Sequence, residues 1–106
     1  MLFDKNTINI DAGILELINR RRRQILVHSY LYYKSDTNLI SDFTFDSWCN
    51  ELVQLHQKHP KETAKAVFPT AFEGWQGFSG YDLFKNDTMA EVWARQKAFQ
   101  LTQNTL

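Results

Sequence analysis

The stretch HSYLYYKSDTNLISDFTFDSWCNELVQLHQKHP, residues 28–60, decides how the chain folds. Its second half places Phe45, Trp48, Leu52 and Leu55 three to four residues apart, with Cys49 and His56 flanking, which is the spacing of one helix face. Ser41 or Asp42 can cap that helix by accepting its unpaired first-turn amides, and Pro60 suits an end after His59. The polar run Ser35-Asp36-Thr37-Asn38 breaks the periodicity before it. Upstream of the break, Ile14, Ile18, Ile25 and Tyr32 recur on a second stripe, joined by Leu15, Leu26 and Tyr33 and interrupted by Arg21 and His28. Asp11 is placed to cap this earlier helix, which should run to about Lys34. A link this short makes the two helices pack antiparallel as a hairpin over residues 11–60.

Outward from the hairpin, residues 1–9 have no clear period and read as a lead-in. A short helix is expected from Glu62 to Phe68, stopped by Pro69. Glu73-Gly-Trp-Gln-Gly-Phe-Ser-Gly-Tyr81 holds three of the four glycines and reads as an ordered loop. Thr88 and Glu91 have capping-box spacing for a last helix, with Met89, Val92, Trp93 and Phe99 expected to face inward. The fold class is therefore all-α: a hairpin, an aromatic and glycine-rich loop, and a C-terminal helix. Residues 1–106 should form one domain, with 61–106 as an accessory region, because one core suits a chain of this length.

Composition excludes several classes of function. Twelve basic and twelve acidic side chains cancel, so no bulk positive field draws the chain to nucleic acid. A lone cysteine, Cys49, cannot close an internal disulfide and suits a reducing compartment. No apolar run is long enough to span a membrane and no signal peptide opens the chain, so a bacterial cytoplasm is the expected location. Cys49, His56 and His59 match no zinc spacing, and no metal is expected.

Tyr30, Tyr32 and Tyr33, then Ile40-Ser41-Asp42, Phe45-Asp46, Glu51-Leu52 and His59-Pro60 follow one another at fixed spacing. This pattern resembles the N-terminal domain, often called Ia, of bacterial NAD-dependent DNA ligases, and it overlays without a gap across the central third of the chain. The whole chain also looks like small phage and prophage proteins known by their similarity to that domain. The resemblance implies a site for the nicotinamide mononucleotide (NMN) half of NAD, built from Tyr32, Tyr33, Asp42, Phe45 and Asp46. Aromatic faces suit a cationic pyridinium, and carboxylates accept hydrogen bonds from ribose hydroxyls. Position 45 departs from the family, which usually has tyrosine there, so one hydroxyl is missing.

The same comparison argues against ligation. The ligase nucleophile is the lysine of a Lys-x-Asp-Gly motif, whereas Lys34-Ser-Asp-Thr and Lys85-Asn-Asp-Thr both lack the glycine. A non-catalytic, stand-alone module of phage type is expected, needing no cofactor but taking NMN or NAD as ligand. The competing expectation is an accessory module that binds and modulates a host DNA-processing or defence protein such as a CRISPR nuclease. Its surface would draw on Arg20, Arg22 and Arg23 of the basic run and on Trp75, Phe78 and Tyr81 of the aromatic loop. Blander roles stand beside these. The arginines can be a solvated helix surface, the tyrosines core and rim aromatics, Asp42 a cap, and His28 a hydrogen-bonded core histidine.

Zero net charge predicts only weak, salt-sensitive binding to duplex DNA, of the order of 10⁻⁴ to 10⁻⁶ M at physiological salt. A fluorescence-anisotropy titration giving sub-micromolar affinity under those conditions would contradict that.

Overall fold

The computed structural model describes residues 10–78 and 80–104, and among them every regular element is a helix. Helix α1 spans Ala12–Lys34 and α2 spans Asp42–Lys58. The Asp11 carboxylate accepts from the Gly13 and Ile14 amides at 2.9 and 3.1 Å and so closes the first turn of α1. Ser41, rather than Asp42, caps α2, its Oγ accepting from the Thr44 amide at 3.1 Å. The α1 stripe buries Ile18, Ile25, Leu26 and Leu31. Tyr32 was expected on that stripe but lies outside it, 49% exposed, because Leu31 takes the inward position on the last turn.

Cross-helix contacts make the pair antiparallel. Arg21 Nε donates to Glu51 at 3.0 Å while its guanidinium lies over Trp48, and His28 meets Trp48 edge-on at 5.4 Å. Arg22 reaches furthest along α2, donating from Nε to His56 Nε2 at 3.2 Å. This overturns the expectation that Arg22 joins a partner surface, since it is buried. The Val67 carbonyl accepts from it at 2.7 Å, and Phe72 lies beneath the guanidinium. Burial pushes the Arg22 guanidinium down to about 10, so it stays charged at neutral pH.

Helix α3 is Pro60–Lys65 and α4 is Pro69–Phe72. Both prolines occupy first-turn positions, where the missing N–H costs nothing. Pro69 therefore starts a turn, instead of stopping the helix expected from Glu62 to Phe68. That helix ends at Lys65 because α1 side chains claim the backbone beyond it: Asn19 accepts from the Val67 amide at 2.8 Å, opposite Arg22 on the carbonyl. Glu62 is buried and accepts from the Asp11 amide at 3.0 Å, tying α3 to the start of α1.

After the loop come α5, Leu83–Asn86, and α6, Thr88–Asn104. Asp87 caps α6 through the Met89 and Ala90 amides at 3.0 and 3.1 Å, displacing the capping box read from Thr88 and Glu91. The inward face is also corrected. Ala90, Ala94 and Ala98 are buried, whereas Met89, Val92 and Phe99 are exposed and only Trp93 of the expected set packs on the core. Small residues every fourth position let α6 lie close to α1, on which α2 and α3 also pack. At the near end Lys34 reaches Glu91 at 3.5 Å.

Desolvation, and then the Arg22 charge, push the His56 imidazole down to about 4. The fold thus favours neutral His56, and its contribution is present above the unfolded value of about 6.5 and lost as pH falls from there towards 4. Thermal melts should show stability falling by roughly 1–3 kcal/mol between pH 7 and pH 4.5. An unchanged melting temperature across that window would refute the buried neutral imidazole.

Candidate functional site

The last turn of α1, the link and the first turns of α2 meet at the turn end of the hairpin. Between them lies a cavity of about 220 Å³. Tyr32 and Tyr33 of α1 line it, together with Asp42, Phe45 and Asp46 of α2. The structure therefore brings all five residues of the expected nucleotide site to one place. Asp42 and Asp46 share a face because four residues make about one helical turn. Among the described residues they are the only acidic groups of the lining, and no lysine or arginine joins them. Neither carboxylate has a hydrogen bond or ion pair within the described residues, which leaves both open to an incoming donor. The concave surface is thus aromatic and negative.

His28, Asn38 and Ser41 also line it and were missed as site residues. His28 precedes Tyr32 by one helical turn, and that spacing was a signal; nothing in the sequence marks Asn38. Burial lowers the His28 imidazole below its ordinary value, which keeps it neutral near pH 7. The half-buried Phe45 ring forms part of the wall, and its Cζ points towards Gly80 and Ser29. A tyrosine hydroxyl at position 45 would therefore be directed at the loop backbone, not into the cavity. Behind the site, burial and then Asp46 push the Cys49 thiol up to about 12, so it is not a nucleophile at neutral pH.

Tyr33 is held edge-on between Tyr32, at 4.7 Å, and Tyr81, at 5.6 Å. The Lys34 and Lys85 ammonium groups lie over the Tyr81 ring at 5.4 and 5.1 Å. Trp75 packs edge-on against Phe72 at 5.2 Å. The six residues expected to form one partner surface are dispersed accordingly. Arg22 is internal, Trp75 is half-buried against the core, and Tyr81 braces Tyr33. Phe78 stands at the cavity described above, while Arg20 and Arg23 face solvent, Arg20 beside Glu16. Among the described residues no group of three His, Cys, Asp or Glu side chains is placed to hold a metal ion, and no helix is long and apolar enough to cross a membrane.

Comparison with known proteins converges on the same segment. The chain is 40% identical over 50 residues to a DNA ligase of Cytophaga hutchinsonii and 41% identical over 54 residues to one of Acholeplasma laidlawii. A third, from Flavobacterium johnsoniae, is 41% identical over 49 residues. These matches cover 47%, 51% and 46% of this chain but only 8%, 8% and 7% of the ligases, so the chain matches a small part of each. No solved structure matches it significantly. The family described as DNA ligase-like, N-terminal NAD+-binding domain matches residues 12–70, which takes in α1, α2, α3 and the five residues at the cavity. With more than half of its length matched, the chain belongs to that family of NAD+-binding domains.

Proposed function

We propose that this chain binds the NMN half of NAD at the turn end of the hairpin, as a binding module and not as a nick-sealing enzyme. The observation that carries this reading is the convergence of Tyr32, Tyr33, Asp42, Phe45 and Asp46 on one cavity whose only acidic or basic groups, His28 apart, are carboxylates. A pyridinium ring gains roughly 0.5–2 kcal/mol from an aromatic face, more when desolvated. Ribose hydroxyls donate to Asp42 and Asp46, each such charge-assisted bond contributing roughly 1.5–3 kcal/mol. At about 220 Å³ the cavity is smaller than the ~300–1,000 Å³ that encloses a drug-sized ligand. It suits the nicotinamide ring and part of the ribose, with the phosphate outside, where no basic side chain of the lining holds it. Affinity is accordingly modest. The absence of Lys-x-Asp-Gly from these 106 residues supports binding without adenylyl transfer.

A second reading, docking on a host DNA-processing or defence protein of the kind phage accessory proteins engage, has one observation in its favour. Met89, Val92 and Phe99 expose a stripe of large apolar side chains along α6, with no core role to account for it. Such a role would survive Asp46→Ala and be lost with Val92→Ser and Phe99→Ser combined.

Titration with NMN should shift the NMR signals of Tyr32, Tyr33 and Phe45 and the amides of Asp42 and Asp46. Asp46→Ala should weaken binding by roughly 1.5–3 kcal/mol, about 10- to 150-fold. Phe45→Tyr should change affinity little, because its hydroxyl is directed at Gly80. Millimolar NMN and NAD leaving those signals unmoved in a folded protein would end the nucleotide reading.

A further inference from the structure

Phe78 is 90% exposed, so it contributes almost nothing to the core, yet the loop that carries it is built to hold it in one place. Gly74 and Gly77 adopt φ of 71° and 87°, backbone that other residues rarely accept. A Cβ on Gly77 would sit 2.7 Å from Val53 Cγ2, so the loop lies flat on α2 there. Gly80 is buried against α1, where a Cβ would collide with the Ser29 side chain. The loop is also anchored on both sides of Phe78, by Trp75 on Phe72 and by Tyr81 on Tyr33. Between these anchors the Phe78 ring reaches the cavity that Tyr32, Tyr33 and Phe45 line from the hairpin.

We propose that Phe78 is the second aromatic wall of the nucleotide pocket, closing on the side of the pyridinium ring away from the hairpin. The proposal rests on the nucleotide reading above and adds a residue beyond the segment shared with the ligases, which ends at residue 70. A ring held between aromatic faces from two sides sheds water from both, which strengthens the attraction of a cation to each face. The loop is held by its glycines and its two aromatic anchors before any ligand arrives, so little ordering cost is left for binding. Phe78 has no polar atom, so it acts on the ring and not on the ribose. It therefore favours the oxidised nucleotide, whose ring is cationic, over the reduced one, whose ring is neutral.

The test is calorimetric titration of the full chain and its Phe78→Ala, Phe78→Tyr and Asp46→Ala variants with NMN and with reduced NMN. Circular dichroism should show all variants folded, Phe78 being on the surface. Phe78→Ala should weaken NMN binding by roughly 2- to 30-fold and narrow the preference for NMN over its reduced form, while Phe78→Tyr keeps both. If Phe78→Ala binds like the parent while Asp46→Ala binds worse, the second wall is refuted and the nucleotide reading stands. If Phe78→Tyr falls as far as Phe78→Ala, stacking is refuted as the cause. If the parent binds neither form of NMN, both ideas fall together.

Discussion

A charged guanidinium buried without a carboxylate sets the register of this molecule. Among the described residues, Arg22 is stabilised by the neutral His56 ring, the Val67 and Thr63 carbonyls and the face of Phe72. Burying such a charge costs several kcal/mol unless its donors are satisfied, and here the acceptors come from α2, α3 and the link that follows. Sliding α2 along α1 would strip those acceptors away, so the register of the hairpin is strongly specified. Arg21 with Glu51 and His28 with Trp48 repeat the constraint nearer the turn end. The tyrosines of α1 therefore face the aspartates of α2 because of contacts made up to three turns away.

This arrangement separates support from recognition. The end of the hairpin away from the link, with α3 and α4, carries the buried polar network. The turn end carries exposed aromatic rings and carboxylates without internal bonds among the described residues, which add little to stability and are available to a ligand. A binding surface of this kind needs rigid backing more than buried area, and α6 supplies it from the other flank through Ala90, Ala94 and Ala98. The aromatic loop then ties that flank to the site, since Tyr81 braces Tyr33 while Lys34 pairs with Glu91.

Much of this was legible in the residues. Periodicity located α1 and α2, Asp11 marked the start of α1 correctly, and the resemblance to the ligase domain pointed to Tyr32, Tyr33, Asp42, Phe45 and Asp46, which share one cavity. What escaped did so for physical reasons. Arg22 reads as surface because a buried arginine depends on backbone carbonyls distant in sequence, which no local pattern announces. In α6 the large apolar residues point to the wrong inward face, because close helix packing selects the alanines. Pro69 opens a turn or closes one depending on whether the preceding backbone is claimed elsewhere. Phe78 belongs to a loop whose path depends on where Gly77 and Gly80 touch the hairpin, a matter of tertiary contact alone.

The central claim concerns where a nicotinamide ring sits, and intermolecular nuclear Overhauser effects between bound NMN and the protein report that directly. The account predicts contacts from the nicotinamide protons to the rings of Tyr32 and Phe45, with ribose protons near Asp42 and Asp46. Contacts instead to Val92 and Phe99, in the groove between α1 and α6, would contradict it and place the ligand on the opposite flank of the helix pair.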